Sequence, residues 1–369
     1  MKIKKMILDF LLRLLTVLLP FIKIKENRVL FVSLESDVLE NDFLILYNEL
    51  KKNQNLEIIC MLTKFKKNFI GYISYFIVCI KQFFYINSSK LVILDYNNYI
   101  ISQYKKKGVS VLQLWHASGA IKKFGNETSR DYRISDYDYV ICNSESFIPS
   151  YAKAFNVKPS SIIMTGIPKQ DILYDNNYRE WKKIELEERY NLVDKQVILY
   201  APTFRGRLMD DFKYDYFLNL NYVVDSLPED YVILFRPHPL LSDEKYTYND
   251  RIIKCTDIEL FDLFCVTDVL ISDYSALIFD FSILHKPIIS YVPDIDEYKR
   301  DTGLFIDYEK EMPGPICYDE RELINTIIRN KFNLDKVKQF QRKYVHYNDG
   351  KSSQRVINLI YSILYSQEK

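Results

Sequence analysis

No GxGxxG fingerprint, P-loop, HExxH or GxSxG run occurs in the 369 residues. A dinucleotide-dependent dehydrogenase, a nucleotide triphosphatase, a zinc protease and a serine hydrolase therefore lose their usual sequence support. The six cysteines form no CxxC pair. Cys60, Cys79, Cys142, Cys255, Cys265 and Cys317 stand far apart, mostly in apolar stretches, and read as reduced core residues of a cytoplasmic protein. Glycine (9) and proline (12) are too sparse for a fibrous or low-complexity chain. Charge of one sign is also lacking: 50 Lys and Arg against 49 Asp and Glu leave a net +1. Without a global field, and with only short basic runs such as Lys105 to Lys107, nucleic acid is not an expected partner.

What is present is a folding composition, 48% hydrophobic and 27% charged, in a chain long enough for two domains with separate cores. Tyrosine (30) and phenylalanine (23) are abundant, as a lipid-facing surface or the codon bias of an AT-rich genome would make them. Residues 1–25 resemble a signal peptide at first, but Asp9 and Arg13 interrupt the apolar run and no small-residue cleavage site follows. On a helix, Lys2, Lys5, Asp9, Arg13 and Thr16 fall in a sector of roughly 80°, with Leu, Ile and Phe around most of the rest. This pattern predicts an amphipathic helix lying in the headgroup plane of an anionic leaflet; a terminal helix packed on protein is the alternative. Residues 65–89 form a second aromatic-rich candidate, either dipping into lipid or serving as a βαβ crossover helix.

Short β-branched runs alternate with helical patterns along the chain, which predicts parallel α/β architecture. Strands are expected at Arg28 to Ser33, Glu57 to Leu62, Leu91 to Asp95, Val109 to Trp115 and Tyr139 to Asn143. The second half repeats the theme at Gln196 to Ala201, Tyr231 to Arg236, Asp268 to Ser272 and Pro287 to Tyr291, with helices such as Phe212 to Leu227 and Ala276 to His285. The fold class is thus two Rossmann-like α/β domains facing a cleft, preceded by the N-terminal helix. The expected boundaries are 1–25 for that helix, 26–175 for an acceptor and membrane domain, 176–350 for a donor domain, and 351–369 for a C-terminal helix packing back on the first. The hinge is placed in the charged stretch near Asn176 to Asn191.

In open parallel sheets ligands bind beyond the carboxyl ends of strands. Four polar clusters sit there: WHASG, APTFR, RPHP and SDYSA. His116 follows Trp115 at a strand end, and Ala117, Ser118 and Gly119 after it are small enough to let a substrate approach; Ser118, Gly119 and Ala120 are the candidates for binding it. An imidazole titrates near cellular pH and suits the removal of a proton from an attacking hydroxyl; a buried histidine bonding a backbone carbonyl is the structural alternative. Lys122 and Lys123 fit phosphate or a solvated face equally. Arg236, Pro237, His238 and Pro239 read as a rigid turn holding two groups that suit a pyrophosphate, with a loop carrying a surface ion pair as the alternative. Ser272, Asp273, Tyr274, Ser275 and Ala276 precede a helical pattern, so they offer either an anion site or ordinary capping. Thr203 and Arg205 end a strand and are expected to reach phosphate or polyol oxygens. Gly166, Pro168 and Lys169 form a turn expected over a nucleotide. His285 and His346 read as structural.

These motifs resemble the CDP-glycerol glycerophosphotransferase family of teichoic acid synthesis. The resemblance runs from near Leu91 through QLWHASGAIKKFG, GIPKQD, YAPTFRG, FRPHP and SDYSALIFDF to PIISYVPDIDEYKRDTGLFIDYEKEMPGPI and NDGKSSQRV. It implies a two-Rossmann-domain (GT-B-type) transferase, peripheral on the cytoplasmic leaflet. CDP-glycerol or CDP-ribitol would be the donor, an undecaprenyl-diphosphate-linked chain the acceptor, and no further cofactor or metal is called for. It implies His116 as base, Arg236 and His238 on the pyrophosphate, Ser275, Ala276, Asp280 and Thr203 completing the donor site, and Glu309 at the nucleotide end. Where some members read WHGTP and GNPRND this chain has WHASG and GIPKQD, which leaves polyol and acceptor open. The lack of a long extension after the second domain favours priming or short additions. Oligomeric state stays open, a homo-oligomer included. A nucleotide-sugar glycosyltransferase of the same architecture and a non-catalytic membrane-tethered scaffold are the competing readings.

Overall fold

The computed structural model describes residues 2–64, 69–203, 205, 218–237 and 248–366. It divides into two compact units: Met1–Ser118 with Phe124–Asp171 and Lys351–Lys369, and Gly119–Lys123 with Ile172–Gly350. Each unit is built on a six-stranded sheet in which every pairing is parallel.

In unit 1 the strands are β1 (Lys25–Ser33), β2 (Glu57–Leu62), β3 (Ser89–Leu94), β4 (Ser110–Gln113), β5 (Tyr139–Cys142) and β6 (Ile162–Met164). They are ordered β2-β1-β3-β4-β5-β6, so the chain turns outward on either side of β1. All six residues of β3 are buried, and Leu91 to Leu94 form the continuous apolar run that parallel strands covered on both faces require. One face packs Val29, Phe31, Leu91, Ile93 and Leu112 against Phe43, Leu46 and Leu50 of helix Asn41–Leu50. The same cluster takes in Val356, Ile357, Ile360 and Ile363 of helix Ser352–Tyr365. That last helix is anchored at its start. The Asp171 carboxylate accepts from the backbone N–H groups of Ser352 and Ser353, both at 2.8 Å, and satisfies two donors the helix itself leaves open.

In unit 2 the strands are β7 (Gln196–Tyr200), β8 (Tyr231–Phe235), β9 (Ile252–Lys254), β10 (Val269–Ser272), β11 (Ile288–Tyr291) and β12 (Ile316–Cys317). Their order, β12-β11-β10-β7-β8-β9, is that of a doubly wound Rossmann sheet, with its switch point between β7 and β10. Ile198, Ile233, Ile271 and Ile289 of the sheet pack on Val223 and Val224 of helix Leu220–Asp225 and on Leu323 and Ile327 of helix Glu320–Arg329.

Local chemistry accounts for many element ends. Asp175 caps helix Asn176–Tyr190 through the Tyr178 N–H, and Asn191 ends it in the left-handed region at φ +52°, where asparagine is tolerated. This helix is continuous and carries Tyr178 and Lys182 onto Asp262 of helix Leu260–Val266, in the stretch expected to hold the hinge. The strand expected to reach Trp115 stops at Gln113, because Trp115 itself takes φ +61° and leaves the ladder. Three edge strands, β6, β9 and β12, are two or three residues long, too short for alternation to reveal. Of the helix expected over Phe212 to Leu227, the described part is Leu220–Asp225, and residues 206–217 lie outside the described residues.

The N-terminal segment is helix Lys2–Leu15 followed by a 3-10 turn, Thr16–Phe21. Its polar stripe does not all face water: Asp9 accepts from the hydroxyls of Tyr99 (2.6 Å) and Tyr104 and pairs with Arg13. Hydrogen bonds from the two tyrosines, Tyr104 above all, hold the Asp9 carboxyl below its usual range. Leu8 and Leu12 are buried, whereas Met6, Ile7, Phe10 and Leu14 are exposed on the other face of the helix, and Val17, Leu18 and Phe21 are exposed in the 3-10 segment. Residues 65–68 of the second lipid candidate lie outside the described residues. Helix Phe69–Asn87 that follows is the crossover between β2 and β3, with Cys79, Phe83 and Ile86 buried and Ile77 and Tyr85 exposed. Among the described residues no helix is long and apolar enough to cross a membrane.

Replacing Asp171 by alanine removes the anchor of the last helix. Amides of Ser352 and Ser353 are expected to exchange with deuterium about tenfold faster, the equivalent of roughly 1 to 2 kcal/mol for a lost cap, while exchange in β7 and β10 stays as it was.

Candidate functional site

Parallel pairing sends every strand of a sheet out at one edge, and the polar groups of each unit collect there. In unit 1 the loop after β4 carries His116, which is exposed. A tryptophan at φ +61° is strained, and such strain persists only where the surroundings fix it. Here the Trp115 N–H donates to the Gln113 side chain at 2.9 Å, and its ring stacks on Phe124 (4.7 Å) and meets Phe155 edge-on (5.3 Å). The next three carbonyls are each held by a side chain. Lys169 Nζ donates to His116 O at 2.9 Å, Tyr151 OH to Ala117 O at 3.4 Å, and Asn143 Nδ2 to Ser118 O at 2.7 Å. The imidazole stacks on Tyr96, and its Nδ1 lies 3.4 Å from the Asp95 carbonyl oxygen. A carbonyl only accepts, so that contact favours a proton on Nδ1.

Asp95 is the first residue after β3. Burial pushes its carboxyl up to about 7; the Ser33 hydroxyl opposes that rise, and the carboxylates of Glu35 and Asp42 add to it. Burial likewise raises Glu35, against the pull of Lys64.

In unit 2 the centre of the carboxyl edge is an ion network at the switch point. Arg205, after β7, donates from Nε to Asp294 at 2.5 Å, from Nη2 to Asp294 at 3.1 Å, and from Nη1 to Asp273 at 2.7 Å and to Thr203 at 3.0 Å. Asp273 also accepts the backbone N–H of Thr203 and of Tyr274. The guanidinium lies 4.9 Å from the Tyr274 ring and 5.2 Å from that of Tyr298, and the two rings stack 3.7 Å apart. Side-chain exposure is 8% for Arg205, 4% for Asp273 and 2% for Asp294. One cation facing two carboxylates leaves a buried negative surplus. Lys122 lies in its field: burial lowers the ammonium's pKa, while Asp273 opposes the drop. The strand-like segment around Lys122 is pinned by Lys123 N–H to Gly303 O (3.0 Å) and Phe305 N–H to Ile121 O (2.8 Å).

The structure redistributes several expected roles. Arg205 and Asp273, expected to face phosphate, saturate each other inside the network, and Thr203 Oγ1 accepts from Arg205. Ser272 is fully buried, with its hydroxyl donating to Ala201 O at 2.8 Å across the sheet. Asp280 is 4% exposed, and Ser118 and Ala120 are 1% and 3%, so these side chains lie beneath the surface their loops present. Gly119 is buried beside them. Gly166, at φ +76°, abuts the C-terminal helix: a Cβ there would come 2.3 Å from Ser352 Oγ. Lys169 of the same turn clamps the His116 loop. Arg236, after β8, is half-buried and donates to Cys255 O at 2.6 Å, with Pro237 buried behind it. Ser275 Oγ faces the Leu277 N–H at 3.4 Å, and Ala276 precedes the short helix Leu277–Ser282. Glu309 pairs with Lys299 and lines a cavity of about 420 Å³ with Asp296, Glu297 and Tyr318. His238 lies outside the described residues.

Asp95, Asn143 and Asp294, each within three residues of a strand's carboxyl end, went unnoticed in the sequence. The strand-end rule that singled out His116 reaches them equally; single polar residues without a multi-residue motif gave no second signal.

The sequence model of the family described as CDP-Glycerol:Poly(glycerophosphate) glycerophosphotransferase matches residues 14–362. A teichoic acid ribitol-phosphate primase of Bacillus spizizenii is 32% identical over 374 residues, covering 96% of this chain and 95% of the relative. A teichoic acid glycerol-phosphate primase of Bacillus subtilis is 35% identical over 302 residues, 77% of each chain. The solved structure of the wall teichoic acid polymerase TagF shares the fold, with a TM-score of 0.70 over 92% of this chain and 90% of that one at 22% identity.

Two consequences are measurable. Arg205→Met strands two buried carboxylates and is expected to cost about 3–5 kcal/mol, seen as early melting of peptides from β7 and β10 in hydrogen exchange. For Asp95, whose folded pKa is raised, the native state holds more protons than the unfolded one between the ordinary carboxylate range and about 7, so stability falls as pH rises through that window. Asp95→Asn is therefore expected to gain more thermal stability over the parent at pH 8 than at pH 4.

Proposed function

The chain belongs to the CDP-Glycerol:Poly(glycerophosphate) glycerophosphotransferase family, and from that premise we propose that it moves glycerol phosphate or ribitol phosphate from the corresponding CDP-polyol to a lipid-linked acceptor, releasing CMP. The acceptor hydroxyl oxygen attacks the polyol-side phosphorus in line. The new P–O bond forms as the bond to the bridging oxygen breaks, the electron pair departs on CMP, and the hydroxyl proton passes to His116. The observation that carries this reading is the exposed His116 on a clamped, strained loop at a strand's carboxyl end, with Nδ1 turned to the Asp95 carbonyl. The donor's phosphates are assigned to Arg236, His238 and the amides around Ser275 and Ala276, as the resemblance implies, and cationic side chains take the charge of the leaving group without a resident metal. Relatives named as primases for ribitol phosphate and for glycerol phosphate are similarly close, at 32% and 35% identity, so both donors are retained.

The seat on the membrane belongs to the same reading. Seven exposed large apolar side chains between Met6 and Phe21, with basic residues at the start of the helix, suit the interface of an anionic leaflet. The helix would meet lipid with the face opposite Leu8 and Leu12.

CMP release with CDP-glycerol, CDP-ribitol and UDP-sugars, each with a lipid-linked acceptor analogue, tests the reaction. One CDP-polyol is expected to serve; UDP release instead would establish a glycosyltransferase. His116→Ala is expected to lower turnover about 10²- to 10⁴-fold, the usual contribution of a general base. Phe10→Glu with Phe21→Glu should abolish co-sedimentation with anionic vesicles and leave the thermal midpoint unchanged.

A further inference from the structure

Three buried polar atoms at the carboxyl edge of the unit 1 sheet have no hydrogen-bond partner among the described residues: Asp95 Oδ1 after β3, Ser118 Oγ after β4 and Asn143 Oδ1 after β5. Leaving a buried polar group unmade costs about 1–3 kcal/mol, so such atoms on three adjacent strands call for an explanation other than packing. Ser118 and Asn143 are each 1% exposed and are suited to an internal water. Asp95 is different. It is half-buried, and it stands beside the one place in this sheet where the strand order turns, between β1 and β3. Crevices at such points are where open α/β sheets take their ligands.

The surroundings define the ligand's chemistry. The end of β1 brings the Ser33 hydroxyl and the loop after it Glu35; helix Asn41–Leu50 adds Asp42; the loop after β4 brings the His116 ring against the Asp95 carbonyl and Tyr96. The cations nearby are Lys169, which donates to the His116 carbonyl, Lys64 in the field of Glu35 and Arg130 in that of Tyr96. Burial favours the uncharged forms of Asp95 and Glu35, which gives neither a charge with which to hold a phosphate. An uncharged hydroxyl, which can donate to a carboxylate or accept from a carboxylic acid, suits them.

We propose that Asp95 is an acceptor-binding residue, its Oδ1 hydrogen-bonding a polyol or sugar hydroxyl of the acceptor beside His116. The proposal rests on the transferase reading and deepens it by naming the group in unit 1 that recognises the acceptor. The backbone carbonyl that faces His116 is untouched by side-chain substitution, so the two contributions of Asp95 separate cleanly.

Initial rates of CMP release from the full chain, varying either the CDP-polyol or a water-soluble acceptor analogue ending in a free polyol hydroxyl, test it. Asp95→Ala is expected to raise the acceptor KM about tenfold, the loss of one hydrogen bond at roughly 1.4 kcal/mol, with the donor KM unchanged and the thermal midpoint not lowered. Asp95→Asn, whose amide oxygen still accepts, should recover most of that loss. An unchanged acceptor KM, an equal rise in both KM values, or a loss that tracks a fall in thermal midpoint would overturn the proposal. If the parent chain releases no CMP from either CDP-polyol, the transferase reading fails by itself. Calorimetric binding of the acceptor analogue without donor then decides on Asp95: weakened binding in Asp95→Ala supports it, and undiminished binding refutes it.

Discussion

All-parallel strand pairing is the constraint on which the chemistry of this protein depends. Antiparallel neighbours would send successive turns to opposite ends of a sheet, whereas here each of the two six-stranded sheets delivers every βα turn to one edge. Polar groups tens of residues apart therefore meet without any local sequence relation. Thr203, Asp273 and Asp294 come together in one unit in this way, and Asp95, His116, Asn143 and Lys169 in the other.

The two edges are stiffened by different means. In unit 2 the device is charge: a guanidinium enclosed between two carboxylates and two stacked tyrosine rings ties the loops after β7, β10 and β11 together. A buried triad of this kind adds little net stability compared with an apolar substitute, but removing one member is costly, so it fixes arrangement more than it adds strength. In unit 1 the device is the carbonyl. Three consecutive acceptors after Trp115 are each claimed by a side chain from a different element, which holds a strained backbone and presents His116 from a loop with little freedom to reorient. The GIPKQD turn links these effects to the chain's last helix: Lys169 secures the histidine loop, and Gly166 and Asp171 secure the start of the helix.

Nine of the twelve strands among the described residues were legible as short β-branched runs, and the missing three were edge strands of two or three residues. The strand-end motifs were legible as well, because glycine, proline, histidine and small residues cluster where a backbone must turn beside a ligand. Their individual roles were less so. Arg205 looked like a phosphate ligand because sequence shows its charge; Asp294, which occupies two of its nitrogens, lies 89 residues further on. The polar stripe of the first helix looked like a water-facing surface because periodicity assigns a side chain to a face but not a partner to the face. Tyr99 and Tyr104 turned Asp9 inward.

By itself the sequence determined the alternation of strand and helix, the parallel arrangement it implies, and the family, since these follow from local periodicity and from contiguous motifs. The tertiary structure alone decided which charged groups are exposed for chemistry and which are spent on each other. Burial and pairing depend on distances between strands that the chain order does not specify, so Arg205 became part of the framework and Asp95 came to stand beside His116.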